Sequence, residues 1–175
     1  MQPLTPKDVQ AALDKLGLGI QIRFFDTPTA TSQQAADNIG CELGQIVKSI
    51  CFIVEDQPVI VLTSGDQKVD DRKLAEAYDV SRKKVRTATP EELVEIWGYE
   101  AGSVPPFGHR ERIPTFIDST LRRFDILYAA GGAHNAIFPI TLDQLIAATG
   151  GEMRFVVKPQ TGYDGFEVTK ATSEE

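Results

Sequence analysis

Ile46-Val47-Lys48-Ser49-Ile50-Cys51-Phe52-Ile53-Val54, then the polar break Glu55-Asp56-Gln57, then the run Pro58 to Thr63, decides the fold class of this chain. Both runs are short and rich in β-branched and aromatic residues, so they read as strands, and the break between them is short enough for an antiparallel hairpin. Strand alternation puts Lys48 on the same face as Ile46, Ile50, Phe52 and Val54. An ammonium on an apolar face is costly unless it meets an anion or borders a cleft. The pattern alone leaves two readings open. Lys48 is either a gatekeeper or snorkelling lysine near a strand end, or a functional cation at the edge of a pocket.

Working outward, Ile20 to Phe25, Ile113 to Ile117, Asp125 to Ala130 and Ala136 to Ile140 read as further strands, and a short one is expected around Phe155 to Val157. Helix starts are marked by threonines at positions 5, 31, 89 and 141, each followed three residues later by Asp, Gln or Glu. Pro6 and Pro90 occupy first helical positions. The first helix buries Val9, Ala12, Leu13 and Leu16 on one stripe and ends at Gly17 and Gly19. Helices and strands mix without a steady βαβ rhythm. The expected fold is therefore α+β: a single compact domain over residues 1–175, with a mixed or mostly antiparallel sheet flanked by helices. Its core is expected over about residues 5–158, with a polar C-terminal tail over 159–175.

The composition, 42% hydrophobic and 25% charged, is that of an ordinary globular protein. No stretch approaches the roughly 20 apolar residues of a membrane helix, and the N-terminus lacks a secretory pattern, so the expected compartment is the cytoplasm. Cys41 and Cys51 suggest neither a disulfide framework nor a zinc site. A net charge of −7 argues against nonspecific binding of nucleic acid along the whole surface. A local basic rim remains available from Arg82-Lys83-Lys84-Val85-Arg86, His109-Arg110-Glu111-Arg112 and Arg122-Arg123, although charge runs also serve simply as solvated faces. Phosphate-binding G-x-x-x-x-G-K, G-x-S-x-G and H-E-x-x-H patterns are absent. With two histidines, His109 and His134, a histidine-rich metal site cannot be built, though carboxylates could still hold magnesium weakly; no cofactor is expected.

Three loop features accompany Lys48. In Gly102-Ser103-Val104-Pro105-Pro106-Phe107-Gly108 the prolines restrict the backbone and the glycines free it, which suits either a rigid turn or fixed recognition of a ligand's polar edge. Gly131-Gly132 permits close approach of a ligand, or a tight bend. Asp118, at a strand end, either orients Lys48 or caps the next segment. His109 reads as a solvent-exposed imidazole, with contact to RNA phosphate as the alternative.

Taken in order, Thr31-Ser32-Gln33-Gln34-Ala35-Ala36, Ile46 to Ile50, Gly98 to Gly108, Ile117-Asp118 and Ala130-Gly131-Gly132 resemble the YbaK/ProX family of aminoacyl-tRNA deacylases, over about Thr27 to Leu145. The resemblance implies a metal-independent hydrolase that removes wrongly attached small amino acids from the acceptor end of transfer RNA, that for proline foremost. No synthetase is attached in this sequence, so action in trans and contact with a synthetase are further expectations. Lys48 corresponds to the family's required lysine. Gly102, Ser103, Val104, Pro105 and Pro106 correspond to the loop facing substrate, and Gly131 and Gly132 to a loop bordering the pocket; Thr31 and Asp118 complete the expected binding set. Backbone amides near Gly131 and Gly102 are expected to stabilise an oxyanion. Two other functions stay open: a non-catalytic module binding an RNA end or a synthetase, and a hydrolase of small aminoacyl esters. The amino acid edited and the oligomeric state are not legible.

Overall fold

The hairpin sits at the centre of the molecule in the computed structural model, which describes residues 1–159. In chain order the elements are α1 (Pro6–Lys15), β1 (Arg23–Phe24), α2 (Ser32–Ile39), β2 (Ile46–Val54), β3 (Gln57–Ser64), α3 (Asp71–Ala77), β4 (Val85–Thr87), α4 (Pro90–Glu92), β5 (Thr115–Asp118), β6 (Ile126–Ala130), β7 (Ala136–Thr141), α5 (Leu142–Thr149) and β8 (Glu152–Arg154). All eight strands form one sheet in the order β1-β7-β6-β2-β3-β5-β8, with β4 attached to β2. β2 and β3 pair antiparallel from Val47↔Ser64 to Val54↔Gln57. Their two-residue turn places Glu55 and Asp56 at φ 48° and 67°, the positive pair that a type I′ hairpin turn requires. The pairs β2·β6, β3·β5 and β5·β8 are parallel, so the sheet is mixed and the fold is α+β as expected.

Alternation along the hairpin builds two apolar layers. Val47, Cys51, Ile53, Ile60 and Leu62 join Val9 and Leu13 of α1, Leu145 of α5 and Trp97 on one face. Phe52, Val54, Val59 and Val61 join Leu74 and Ala75 of α3 on the other. Helices thus cover both faces, which is what a central strand apolar on both sides demands.

The four threonine starts all open helices. The hydroxyls of Thr31, Thr89 and Thr141 accept the N–H three residues on, and at Thr5 the Asp8 carboxylate reaches back to the threonine N–H at 2.7 Å. Leu16 departs from expectation: it is 41% exposed, because the helix stops at Lys15 and the chain turns away at Gly17 with φ 67°. The strand expected over Ile20 to Phe25 shrinks to two residues. Part of its edge pairs with the Gln10 side chain instead, which bonds Ile20 O at 2.9 Å and Ile22 N at 3.0 Å. The helix opened by Thr89 widens after one turn into a π turn over Leu93–Trp97, which buries Trp97 completely. The last strand lies at Glu152–Arg154 instead of Phe155 to Val157; the Val156 N–H is taken by Asp118, and Val157 makes an isolated bridge with Val69. The polar tail expected from position 159 falls, beyond Pro159, outside the described residues.

One irregularity of the sheet positions everything that follows. On its second edge β2 pairs with β6 at Ile46 and Val47, and with β4 from Phe52 to Val54. Between them the edge is open, apart from the Ala88 N–H donated to Cys51 O at 2.9 Å. Peptide groups of odd-numbered residues point to this edge, as the bonds of Cys51 and Glu55 demonstrate. The N–H and C=O of Ser49 therefore face the opening.

Candidate functional site

A cavity of about 380 Å³ fills the opening. Lys48, Ser49, Ile50 and Cys51 form its floor along β2, Thr31 and Ala35 the start of α2, and Gly102 and Val104 the facing loop. Thr87, Ala88 and Leu93 close the side beyond β4.

Lys48 is partly buried here, and its Nζ donates to the main-chain carbonyl of Gln67, in the turn after β3. Burial lowers the pKa of its ammonium, the carboxylate of Asp66 counteracts this, and Lys68 adds to the lowering. Asp66 is held in turn by Arg123, whose guanidinium donates to both carboxylate oxygens at 2.8 and 3.0 Å. Burial pushes the Asp66 carboxyl upward, but the fork from Arg123, with a bond from the Gln67 side chain, outweighs it and holds the pKa below the usual value.

Of the loop residues expected at the site, Gly102 and Val104 line the cavity. Gly102 has φ 83°, and a Cβ there would stand 3.2 Å from that of Ala30, so the absence of a side chain lets the two loops meet. Ser103 turns away into a neighbouring hollow beside Gly132. Pro105 and Pro106 are buried behind the wall; the Pro105 carbonyl accepts from His109 Nε2 at 2.7 Å, so their part is to stiffen the loop. Thr31 is at the cavity, with its hydroxyl oxygen engaged as the cap of α2, accepting from Gln34 N at 3.1 Å. Thr31→Ala is therefore expected to cost about 1 kcal/mol in urea unfolding, with Thr31→Ser close to wild type.

Three expectations change. Gly131 and Gly132 lie outside the cavity wall, which Ala130 reaches in their place. The Gly131 N–H donates to Ala136 O at 2.8 Å and is not available to an oxyanion. Gly132 is small because α1 packs on it: a Cβ there would meet Val9 Cγ2 at 2.9 Å. Asp118 is fully buried and does not touch Lys48. Its carboxylate accepts from Val156 N at 2.9 Å, from Thr120 N at 3.1 Å and from the Thr120 hydroxyl, so it caps the turn Ser119–Arg123. His109 is not a solvent-exposed imidazole. It packs edge-on to Tyr99 and holds Pro105, and burial pushes its pKa down to about 4.

Several residues at or near the site were not assigned to it from the sequence. Ser49 lines the cavity with a buried hydroxyl that has no partner among the described residues. His134 ties three loops together: its Nε2 lies 2.9 Å from Ala101 O, and its own carbonyl accepts the Thr29 N–H at 2.6 Å. Asp66 and Arg123 are near only because β3 and the Ser119–Arg123 turn meet in space. Among the described residues no three of His, Cys, Asp and Glu gather into a set able to hold a metal ion, and no helix is long and apolar enough to cross a membrane.

Comparison with known proteins gives the site a context. A family model described as an aminoacyl-tRNA editing domain matches residues 26–148. The uncharacterized protein YwhH of Bacillus subtilis is 35% identical over 122 residues, which cover 69% of this chain and 76% of that protein. A proline–tRNA ligase of Lactobacillus gasseri is 42% identical over 78 residues, covering 45% of this chain but 14% of the ligase. A crystal structure of a candidate trans-editing enzyme for prolyl tRNA synthetase superposes with a TM-score of 0.82 at 34% identity, over 87% of this chain and 96% of that one.

Proposed function

The chain belongs to the aminoacyl-tRNA editing domain family, and from that premise we propose that it is a deacylase that acts in trans, in the cytoplasm and without a metal, on transfer RNA carrying a wrong small amino acid. The transfer RNA for proline is the first candidate, on the likeness to a proline–tRNA ligase and to a candidate trans-editing enzyme for its synthetase. The observation that carries this reading is the placement of Lys48: an ammonium bonded to a neutral carbonyl, on the floor of a cavity, beside an open strand edge.

Deacylation adds water across the ester that joins the amino acid to the ribose of the terminal adenosine. The water oxygen attacks the carbonyl carbon, negative charge collects on the carbonyl oxygen, and the ribose oxygen leaves with a proton. Lys48 is read as the cation that holds the terminal nucleotide and stabilises this charge, with the Gly102 loop and the edge N–H groups of Ser49 and Cys51 as fixed donors. A ligand hydroxyl is the natural aid to positioning water, since among the described residues Lys48 and Cys51 are the titratable side chains on the cavity wall. A small cavity suits the task. A synthetase gains only about 1–3 kcal/mol from a missing methylene, so small wrong residues pass it and need a second, size-limited site.

The test is a panel of acceptor RNAs for proline charged with alanine, serine, cysteine or proline, incubated with the protein in excess chelator. Selective loss of one or more small residues, with the proline ester spared, is the expected result. Binding of charged RNA without turnover anywhere in the panel would favour a non-catalytic module instead. Equal turnover of aminoacyl esters without an RNA body would favour a general small-ester hydrolase.

A further inference from the structure

The cation of the site does not stand alone. Lys48 Nζ bonds the carbonyl of Gln67, a buried residue one position beyond Asp66, in a turn pinned by Gly65 N to Ile46 O at 2.8 Å and Gln67 N to Ser64 O at 3.0 Å. Asp66 receives both arms of Arg123. Arg123 is itself fixed twice, by Nε donated to Thr120 O at 2.8 Å and by its guanidinium over the Phe124 ring at 5.0 Å. Thr120 is anchored by buried Asp118. Gly44 leaves the room for this assembly: a Cβ there would stand 2.8 Å from the Phe124 ring and 2.9 Å from Asp66 Oδ2.

We propose that the Asp66–Arg123 pair is a positioning device for Lys48: Arg123 clamps the turn whose Gln67 carbonyl receives the ammonium, and the Asp66 carboxylate sets the local field. The geometry stands by itself; only its consequence for turnover rests on the editing reading. Asp118, whose carboxylate is taken up by Thr120 and Val156, works through this chain as the anchor of the turn that presents Arg123. A fork on a carboxylate is a directional contact, and a point-charge lysine would not reproduce it. Both side chains of the pair keep some exposure, 22% for Arg123 and 32% for Asp66, so removing either leaves a folded protein.

Two substitutions that break the same pair are expected to move Lys48 in opposite directions. Asp66→Asn removes the nearby negative charge and lowers the pKa of Lys48, whereas Arg123→Gln strips the carboxylate of its neutralising partner and raises it, each by about 0.5 pH unit or more. Among the described residues the other charged group acting on the ammonium is Lys68, unchanged in both variants, and Cys51 is the other titratable residue on the cavity wall. The readout is the titration of the Lys48 ε-carbon by NMR with ¹³C-labelled lysine, assigned by its absence in Lys48→Arg. With mischarged RNA, both variants are expected to lose roughly tenfold in kcat with KM little changed, since the cation is displaced and not removed, and the alkaline limb is to follow the NMR values. Equal titrations in all three proteins, or shifts of the same sign, would overturn the proposal. Opposite shifts in a protein that deacylates nothing would leave the clamp standing and sink the editing reading.

Discussion

Lys48→Met abolishes most deacylation while leaving the protein at least as stable as wild type: kcat/KM for the best mischarged RNA falls by about 10²- to 10³-fold, the effect of losing one preorganised stabiliser of a developing oxyanion. The stability half of this expectation follows from the floor of the cavity. Burial is the largest influence on the Lys48 pKa and lowers it, so the folded state disfavours the ammonium relative to water. A methionine of similar length removes that penalty and keeps an aliphatic chain on the face that position 48 shares with Ile50 along the strand and Thr63 across it. Lys48→Arg is the stricter comparison. It retains charge, but the planar guanidinium does not match one carbonyl at the end of an unbranched chain, and activity is expected to stay at least tenfold down. Thermal unfolding of the three proteins beside single-turnover deacylation checks both halves. A methionine variant that unfolds much earlier than wild type would mean that Lys48 is a structural gatekeeper, the reading that strand alternation left open. The same burial predicts that wild-type activity declines at high pH before an ordinary lysine would titrate.

Local chemistry was legible along the chain, and distant chemistry was not. The hairpin, the threonine caps and the sheet class followed from period-two patterning and from side chains that bond within four residues. Lys48 stood out because an ammonium interrupts an apolar face. What the sequence could not convey was where strands stop pairing. The opening beside Ser49 exists because β6 leaves β2 after Val47 and β4 joins only at Phe52, and no residue in β2 announces either event. The same limit explains Asp118 and the glycine pair. The resemblance sets both at the substrate, whereas capping, the other reading that the residues themselves offer for Asp118, is the one that holds, through Thr120 N. Each is spent instead on a contact from far along the chain: Asp118 on Val156, and Gly132 on Val9 of α1. His109 failed for a further reason. Its neighbours Arg110, Glu111 and Arg112 suggest a wet surface, but the ring turns inward to hold a proline carbonyl three-dimensionally close and four residues away.

That inward turn makes His109 the acid-sensitive point of the loop that faces the cavity. Its pKa is pushed down to about 4, first by burial, with the bond to Pro105 O opposing. An unfolded histidine takes up its proton near pH 6.5. As the pH falls through that value the unfolded chain becomes protonated while the folded ring stays neutral, so the unfolded state binds more protons and stability decreases with decreasing pH. The contribution of the neutral ring is complete above about pH 6.5 and is lost progressively down to about pH 4, a total of about 3 kcal/mol if the whole difference is realised. That is a large part of the 5–15 kcal/mol typical of a domain. Protonation does not break the bond to Pro105, since an imidazolium still donates from Nε2; the cost is the burial of a charge against Tyr99. His109→Gln keeps a donor and cannot titrate. Urea unfolding between pH 4 and 7 is expected to show a wild-type slope steeper than that of the variant by up to about 1.4 kcal/mol per pH unit in the middle of the window. Carboxylates such as Asp66 contribute equally to both proteins and cancel in the difference. Parallel slopes would mean that the imidazole is wetter than its packing indicates. Because Gly102 and Val104 belong to the same loop, the variant is also expected to retain RNA affinity near pH 4, where the folded wild-type ring takes up its proton and affinity falls.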